Sequence, residues 1–73
     1  LEVIRLVLPA GKALPPHAAK GVITVQCLEG RITFATGERS VDLEAGQLLF
    51  LPAGVRHEVK SLEDASVLLT IRL

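Results

Sequence analysis

Seven segments of strand length, with turn signals in five of the six gaps between them, confine this 73-residue chain to an antiparallel β fold. Val3 to Leu8, Val22 to Leu28, Arg31 to Thr36, Arg39 to Leu43, Gln47 to Leu51, Arg56 to Lys60 and Ser66 to Arg72 are rich in Val, Ile, Leu, Thr and Phe, residues that suit a pleated, half-buried surface. Between them stand Glu29-Gly30, Thr36-Gly37-Glu38, Glu44-Ala45-Gly46, Pro52-Ala53-Gly54 and Leu62-Glu63-Asp64, which supply Gly, Pro or Asp where the chain must reverse. No uninterrupted window places apolar residues at three- and four-residue spacing, so no helix is expected. Short strands at even spacing predict a sandwich or barrel, because a sheet with one apolar face must close on something.

Alternation along a strand assigns the faces, since neighbouring side chains point to opposite sides. Ser40, Asp42 and Glu44 oppose Val41 and Leu43, and Arg56, Glu58 and Lys60 oppose His57 and Val59. His57 is therefore expected to point inward. Cys27 shares its face with Ile23 and Val25 and is expected there too. With no cation or helix end beside it to lower its pKa, Cys27 reads as buried filler rather than a nucleophile. Phe34 and Phe50 lie in strand interiors, where packing explains them, and Arg5, Arg31, Arg39, Arg56 and Arg72 read as outer-face groups pairing with nearby acids. Gly11, Gly30, Gly46 and Gly54 read as backbone devices at turns that need positive φ or a close approach.

One domain spanning residues 1–73 is all this length allows, and folding a chain so short buries only roughly 60% of its unfolded surface. The hydrophobic fraction is 49%, and eight basic residues cancel eight acidic ones. Such balance, with Lys and Arg scattered among acids, argues against nucleic acid as a partner. The surplus of apolar residues in so small a domain predicts a homodimer. The longest apolar runs fall far short of the about 20 residues that span a bilayer, and no leader-like segment opens the sequence, so the expectation is a cytoplasmic domain with no membrane partner. The single Cys27 fits a reducing compartment. Met is absent throughout, which raises the expectation of a trimmed chain or a piece of a longer one.

Gly11-Lys-Ala-Leu-Pro-Pro-His17-Ala-Ala19-Lys-Gly-Val-Ile23-Thr-Val-Gln-Cys-Leu-Glu-Gly30 and Gly46-Gln-Leu-Leu-Phe-Leu-Pro52-Ala-Gly54-Val-Arg-His57-Glu-Val-Lys-Ser61 are the two informative stretches. The first resembles the first cupin motif, which runs Gly, five residues, His-x-His, three or four residues, Glu, six residues, Gly. The second resembles the second cupin motif, which runs Gly, five residues, Pro-x-Gly, two residues, His, three residues, Asn, with Ser61 in place of the final Asn. The resemblance implies an all-β fold, a single antiparallel cupin barrel of jelly-roll type, close to the RmlC-like members of the family.

In the family, two His and a Glu of the first motif and a His of the second converge on a divalent metal inside the barrel. Here His17 matches the first His and His57 the last, but Ala19 stands at the second His and Ile23 at the Glu. Methyl and butyl groups offer a cation no lone pairs, so a divalent metal on His17 and His57 is disfavoured. Structural zinc takes four protein ligands, catalytic zinc about three, and the non-haem iron triad needs a carboxylate. Glu58, next to His57, must point to the opposite face, and Glu29 sits in a turn, so neither replaces the missing Glu.

The expected function is that of a non-enzymatic or small-molecule-binding module with a degenerate metal site and a pocket bounded by His17, Ile23, Val25, Cys27 and His57. Two alternatives stay open. One is a metal-dependent dioxygenase, isomerase or decarboxylase using His17 and His57. The other is the sensor domain of a transcription regulator.

Overall fold

A computed structural model describes residues 1–72, with the side chain of His17 outside the described set. Eight strands follow one another: β1 (Glu2–Leu8), β2 (Ala13–Ala18), β3 (Val22–Glu29), β4 (Arg31–Thr36), β5 (Ser40–Glu44), β6 (Leu48–Leu51), β7 (Arg56–Ser61) and β8 (Ala65–Arg72). They form two four-stranded sheets, in the orders β1-β8-β3-β6 and β2-β7-β4-β5, whose strand pairings are all antiparallel. The all-β expectation holds, and no helix in the described residues is long and apolar enough to cross a membrane.

The inner faces meet in a core of Ile23, Val25 and Cys27 from β3, Ile32 and Phe34 from β4, Leu43, Leu51, Val59 and Val67, with Leu8 and Ala65 at one end. Strict alternation produces it: β3 reads half-buried, buried, half-buried, buried from Val22 onward, and β7 reads exposed, buried from Arg56 onward. At about 25 cal/mol per Å2 these residues supply the main driving force for folding.

Six of the seven expected strands shift by a residue at one or both ends, as strand ends commonly do, and the seventh, β4, matches. One strand was not expected. Ala13–Ala18 contains Pro15 and Pro16, and proline cannot donate to a ladder. The fold tolerates them because β2 is the edge of its sheet and its register against β7 shifts between Leu14 and His17. Phe50 departs from its expected packing, and Val41 keeps its expected face but is not covered. Phe50 lies outward, since Leu49 and Leu51 take the inward positions of β6, and it is 60% exposed. Val41 is 44% exposed on the edge strand β5, although it shares a face with buried Leu43.

All four glycines expected at turns take positive φ. At Gly30 a close approach adds to this requirement, because a Cβ there would sit 2.1 Å from the Asp64 carbonyl oxygen. Among the arginines, Arg31 meets Asp42 at 3.4 Å on the surface, and Arg5 donates to the Ser66 hydroxyl at 2.9 Å.

Ser61 ties the β1–β2 connection to β7. Its hydroxyl accepts the Lys12 amide at 3.0 Å and lies within donating distance of the carbonyls of Pro9 and Lys12. Its backbone pairs with the same loop, the Gly11 amide donating to the Ser61 carbonyl and the Ser61 amide to the Lys12 carbonyl, each at 2.9 Å.

Candidate functional site

β7 brings His57 into the barrel interior. The residue is only 4% exposed, while its neighbours Arg56 and Glu58 face solvent. Its Nδ1 lies 3.0 Å from the Val55 carbonyl oxygen. A carbonyl can only accept, so Nδ1 carries the proton of that hydrogen bond, and in the neutral ring the lone pair belongs to Nε2. One face of the imidazole stacks on Phe34 of β4, with ring centroids 5.2 Å apart and planes 18° from parallel. A backbone carbonyl and an aromatic wall thus fix both the rotation and the tautomer of His57.

Beside this ring the sheets part around a cavity of about 250 Å3. One wall is Ile4, Leu6 and Leu8 of β1, Val25 of β3, and Val67 and Leu69 of β8; the other is Leu14 of β2, Phe34 of β4, and His57 and Val59 of β7. Among the described residues, His57 is the single polar side chain of this lining. Ile4, Leu6 and Leu14 are half-buried whereas Val25 and Val67 are fully covered, so the cavity opens along the seam between the edge strands β1 and β2.

Of the expected pocket residues, Val25 and His57 line this cavity. Ile23 and Cys27 are buried on the same face of β3 but are not part of its wall. The Cα atoms of His17 and His57 are register partners across β2 and β7; the side chain of His17 lies outside the described residues. Sequence reasoning missed Phe34 as the partner of His57, and it missed the whole β1 and β8 wall. The inward rows Ile4, Leu6, Leu8 and Val67, Leu69 were available from the alternation that placed His57. The sequence holds no equivalent cue to which inner-face rows leave a gap.

Cys27 is fully buried, its thiol 3.4 Å from the Glu29 carbonyl and 3.5 Å from that of Gly30. Burial pushes the thiol pKa up, and the Glu63 carboxylate adds to the shift against the lowering effect of the Glu29 backbone. This is the environment of an inert thiol.

The donor set expected of the family's metal site does not fit a metal here. Ile23 is buried at the position where the family carries its Glu, and Ala19 is half-buried where it carries its second His. Glu58 faces outward and Glu29 lies on the surface, so neither reaches the interior. Among the described residues no three His, Cys, Asp or Glu side chains gather closely enough to hold a metal ion.

The fold has many solved counterparts. A conserved Streptococcus pyogenes protein of unknown function superposes with a TM-score of 0.87 at 21% identity, over 97% of this chain and 63% of that one. An RmlC-like cupin from Desulfovibrio desulfuricans superposes at 0.85 with 29% identity, over 94% of this chain and 68% of its own. A predicted oxalate decarboxylase from Thermotoga maritima superposes at 0.85 with 26% identity, over 97% of this chain and 64% of its own. The chain therefore spans roughly two thirds of the length of these proteins. No curated protein matches it significantly. The cupin domain model matches residues 4–71, nearly the whole sequence and both motifs with it. With two antiparallel sheets enclosing His57 in the interior, the chain belongs to the cupin domain family.

Proposed function

We propose that this cupin domain is a small-molecule-binding module, without catalysis and without a complete metal centre, that takes a compact, mostly apolar molecule bearing one hydrogen-bonding group. The cavity beside His57 supports the reading: among the described residues, nine apolar side chains line about 250 Å3 around an imidazole of fixed orientation. Apolar walls with a few placed polar groups are the usual composition of a ligand site. The volume suits a single ring with a short substituent. With its one thiol buried and free, the domain suits a reducing cytoplasm.

Phenol is the probe, followed by methyl NMR. Saturable shifts are expected at Leu14, Val25 and Val67, with toluene binding through the same walls. In His57→Phe the preference for phenol over toluene should fall by roughly 2- to 10-fold, the worth of one neutral hydrogen bond. Absence of any saturable shift at millimolar phenol would remove the proposal.

The likeness to a predicted oxalate decarboxylase favours a second reading, a metal-dependent cupin enzyme working through His17 and His57. Elemental analysis after dialysis separates the two. A stoichiometric divalent ion supports the enzyme, and a protein that retains none supports the binding module.

A further inference from the structure

The cavity beside His57 opens along one seam of the barrel, between the edge strands β1 and β2. The opposite seam, between the edge strands β5 and β6, holds a cleft of about 360 Å3. Buried Phe34 and Leu51 close it on the inside, Val41, Leu49 and Val55 form its sides, and Arg39 stands exposed at its mouth. Among the described residues Phe34 alone lines both cavities, so its ring is the wall between them.

Arg39 is the unusual member of this lining. Alternation along β5 puts it on the row of Val41 and Leu43, which faces the cleft, and not on the outer face expected of it. The acids of the same strand, Asp42 and Glu44, point the other way, and Asp42 already accepts from Arg31 at 3.4 Å and from the Thr33 hydroxyl at 2.9 Å. Among the described residues no carboxylate pairs with the Arg39 guanidinium. The Thr36 amide donates to the Arg39 carbonyl at 2.8 Å, which closes the β4–β5 hairpin and holds the base of the Arg39 side chain at the cleft.

We infer that the β5–β6 cleft binds a short amphiphilic carboxylate, its hydrocarbon against Phe34, Leu49, Leu51 and Val55 and its head on the Arg39 guanidinium. A cation without a counter-charge at the mouth of an apolar cleft is complementary to an anion on a hydrocarbon body. The planar fork of one guanidinium matches one carboxylate in charge and in shape, whereas a phosphate dianion would keep part of its charge unmet. A volume of about 360 Å3 is at the low end for ligand sites, which suits a chain of roughly eight carbons. The occupant touches neither His57 nor the β1–β2 seam, so binding here does not depend on the cavity beside His57.

Octanoate at millimolar concentration, followed by methyl NMR, tests this, with octanol as the uncharged control. Saturable shifts are expected at Val41, Leu49, Leu51 and Val55, with Leu14 and Val67 of the other cavity unmoved. Arg39→Gln should weaken octanoate roughly 3- to 10-fold, between the worth of an exposed ion pair and that of a charge-assisted hydrogen bond, and leave octanol unchanged. Val41→Glu puts a competing carboxylate into the cleft and should abolish saturation by octanoate. Both positions are exposed, so neither replacement disturbs the core, and circular dichroism confirms the fold of each variant. The inference is overturned by a parent chain that shows no saturable shift or shifts at Leu14 and Val67 instead. It is overturned equally by an Arg39→Gln variant that binds octanoate as the parent does, since the cleft would then take any hydrocarbon.

Discussion

Ser61 carries a hydroxyl that is completely covered and serves the Lys12 amide and the carbonyls at the β1–β2 turn. Ser61→Ala removes the hydroxyl's bonds, while the Lys12 amide still reaches the Pro9 carbonyl and the Lys12 carbonyl still accepts the Ser61 amide, so the cost is that of one lost hydrogen bond, about 1 kcal/mol. The melting temperature should fall by about 4 °C or more, as read by thermal circular dichroism. Gly30 and Gly46 separate two effects that sequence alone merges. Both have positive φ, but a Cβ at Gly46 meets nothing within 4 Å whereas at Gly30 it strikes the Asp64 backbone. Gly46→Ala should therefore cost about 1 kcal/mol of backbone strain, and Gly30→Ala at least twice that; urea midpoints check the order. Both glycines were legible as turn residues from the motif spacing. The close approach at Gly30 was not, because it depends on where β8 begins. Cys27 adds a pH effect. The folded thiol keeps its proton to a higher pH than the unfolded chain does, so the unfolded chain binds fewer protons above about pH 9. Stability is full below that pH and declines as pH rises through the window up to the folded pKa. Cys27→Ala should flatten the decline in urea titrations run at stepped alkaline pH.

At the scale of elements, β3 and β8 form the centre of one sheet and β7 and β4 that of the other, with β1, β6, β2 and β5 as edges. A central strand opens only when the whole barrel opens, while an edge can peel away alone. Amide exchange should be slowest at Val25 and Val67 and several orders faster across Ala13–Ala18, where prolines and a register shift already thin the ladder. Equal protection of β2 and β3 would contradict this order of opening. The same logic explains what the sequence revealed of the strands. Those whose alternation is enforced by two neighbours, such as β3 and β7, could be read residue by residue, His57 included. β2 could not be read at all, because edge position is a property of topology and only that position makes Pro15 and Pro16 acceptable. Phe50 and Val41 mislead for the converse reason. Each sits on an edge strand, where an apolar side chain need not have a facing layer.

For the whole molecule, stability rests on two apolar sheet faces closing on each other. The family's metal position is occupied by hydrocarbon at Ile23, which is part of the core that holds β3 to the opposite sheet. The melting temperature should therefore be the same with and without a chelator, and should stay unchanged when zinc, manganese or iron(II) is added. Restoring the missing donors reverses this. Ala19→His with Ile23→Glu supplies the imidazole and carboxylate that the motif register directs toward His57, at the cost of a core side chain, so the double variant should melt lower than the parent in chelator. A metal that binds only the folded state at a hundredfold excess over its Kd contributes about 2.7 kcal/mol. For a domain of this size that raises the melting temperature by about 10 °C or more. Calorimetry of both proteins across the three metals provides the check. Metal-dependent melting in the parent would mean that the interior already holds a competent donor set, and indifference of the folded double variant would mean that positions 19 and 23 do not face the imidazole as the motif register requires.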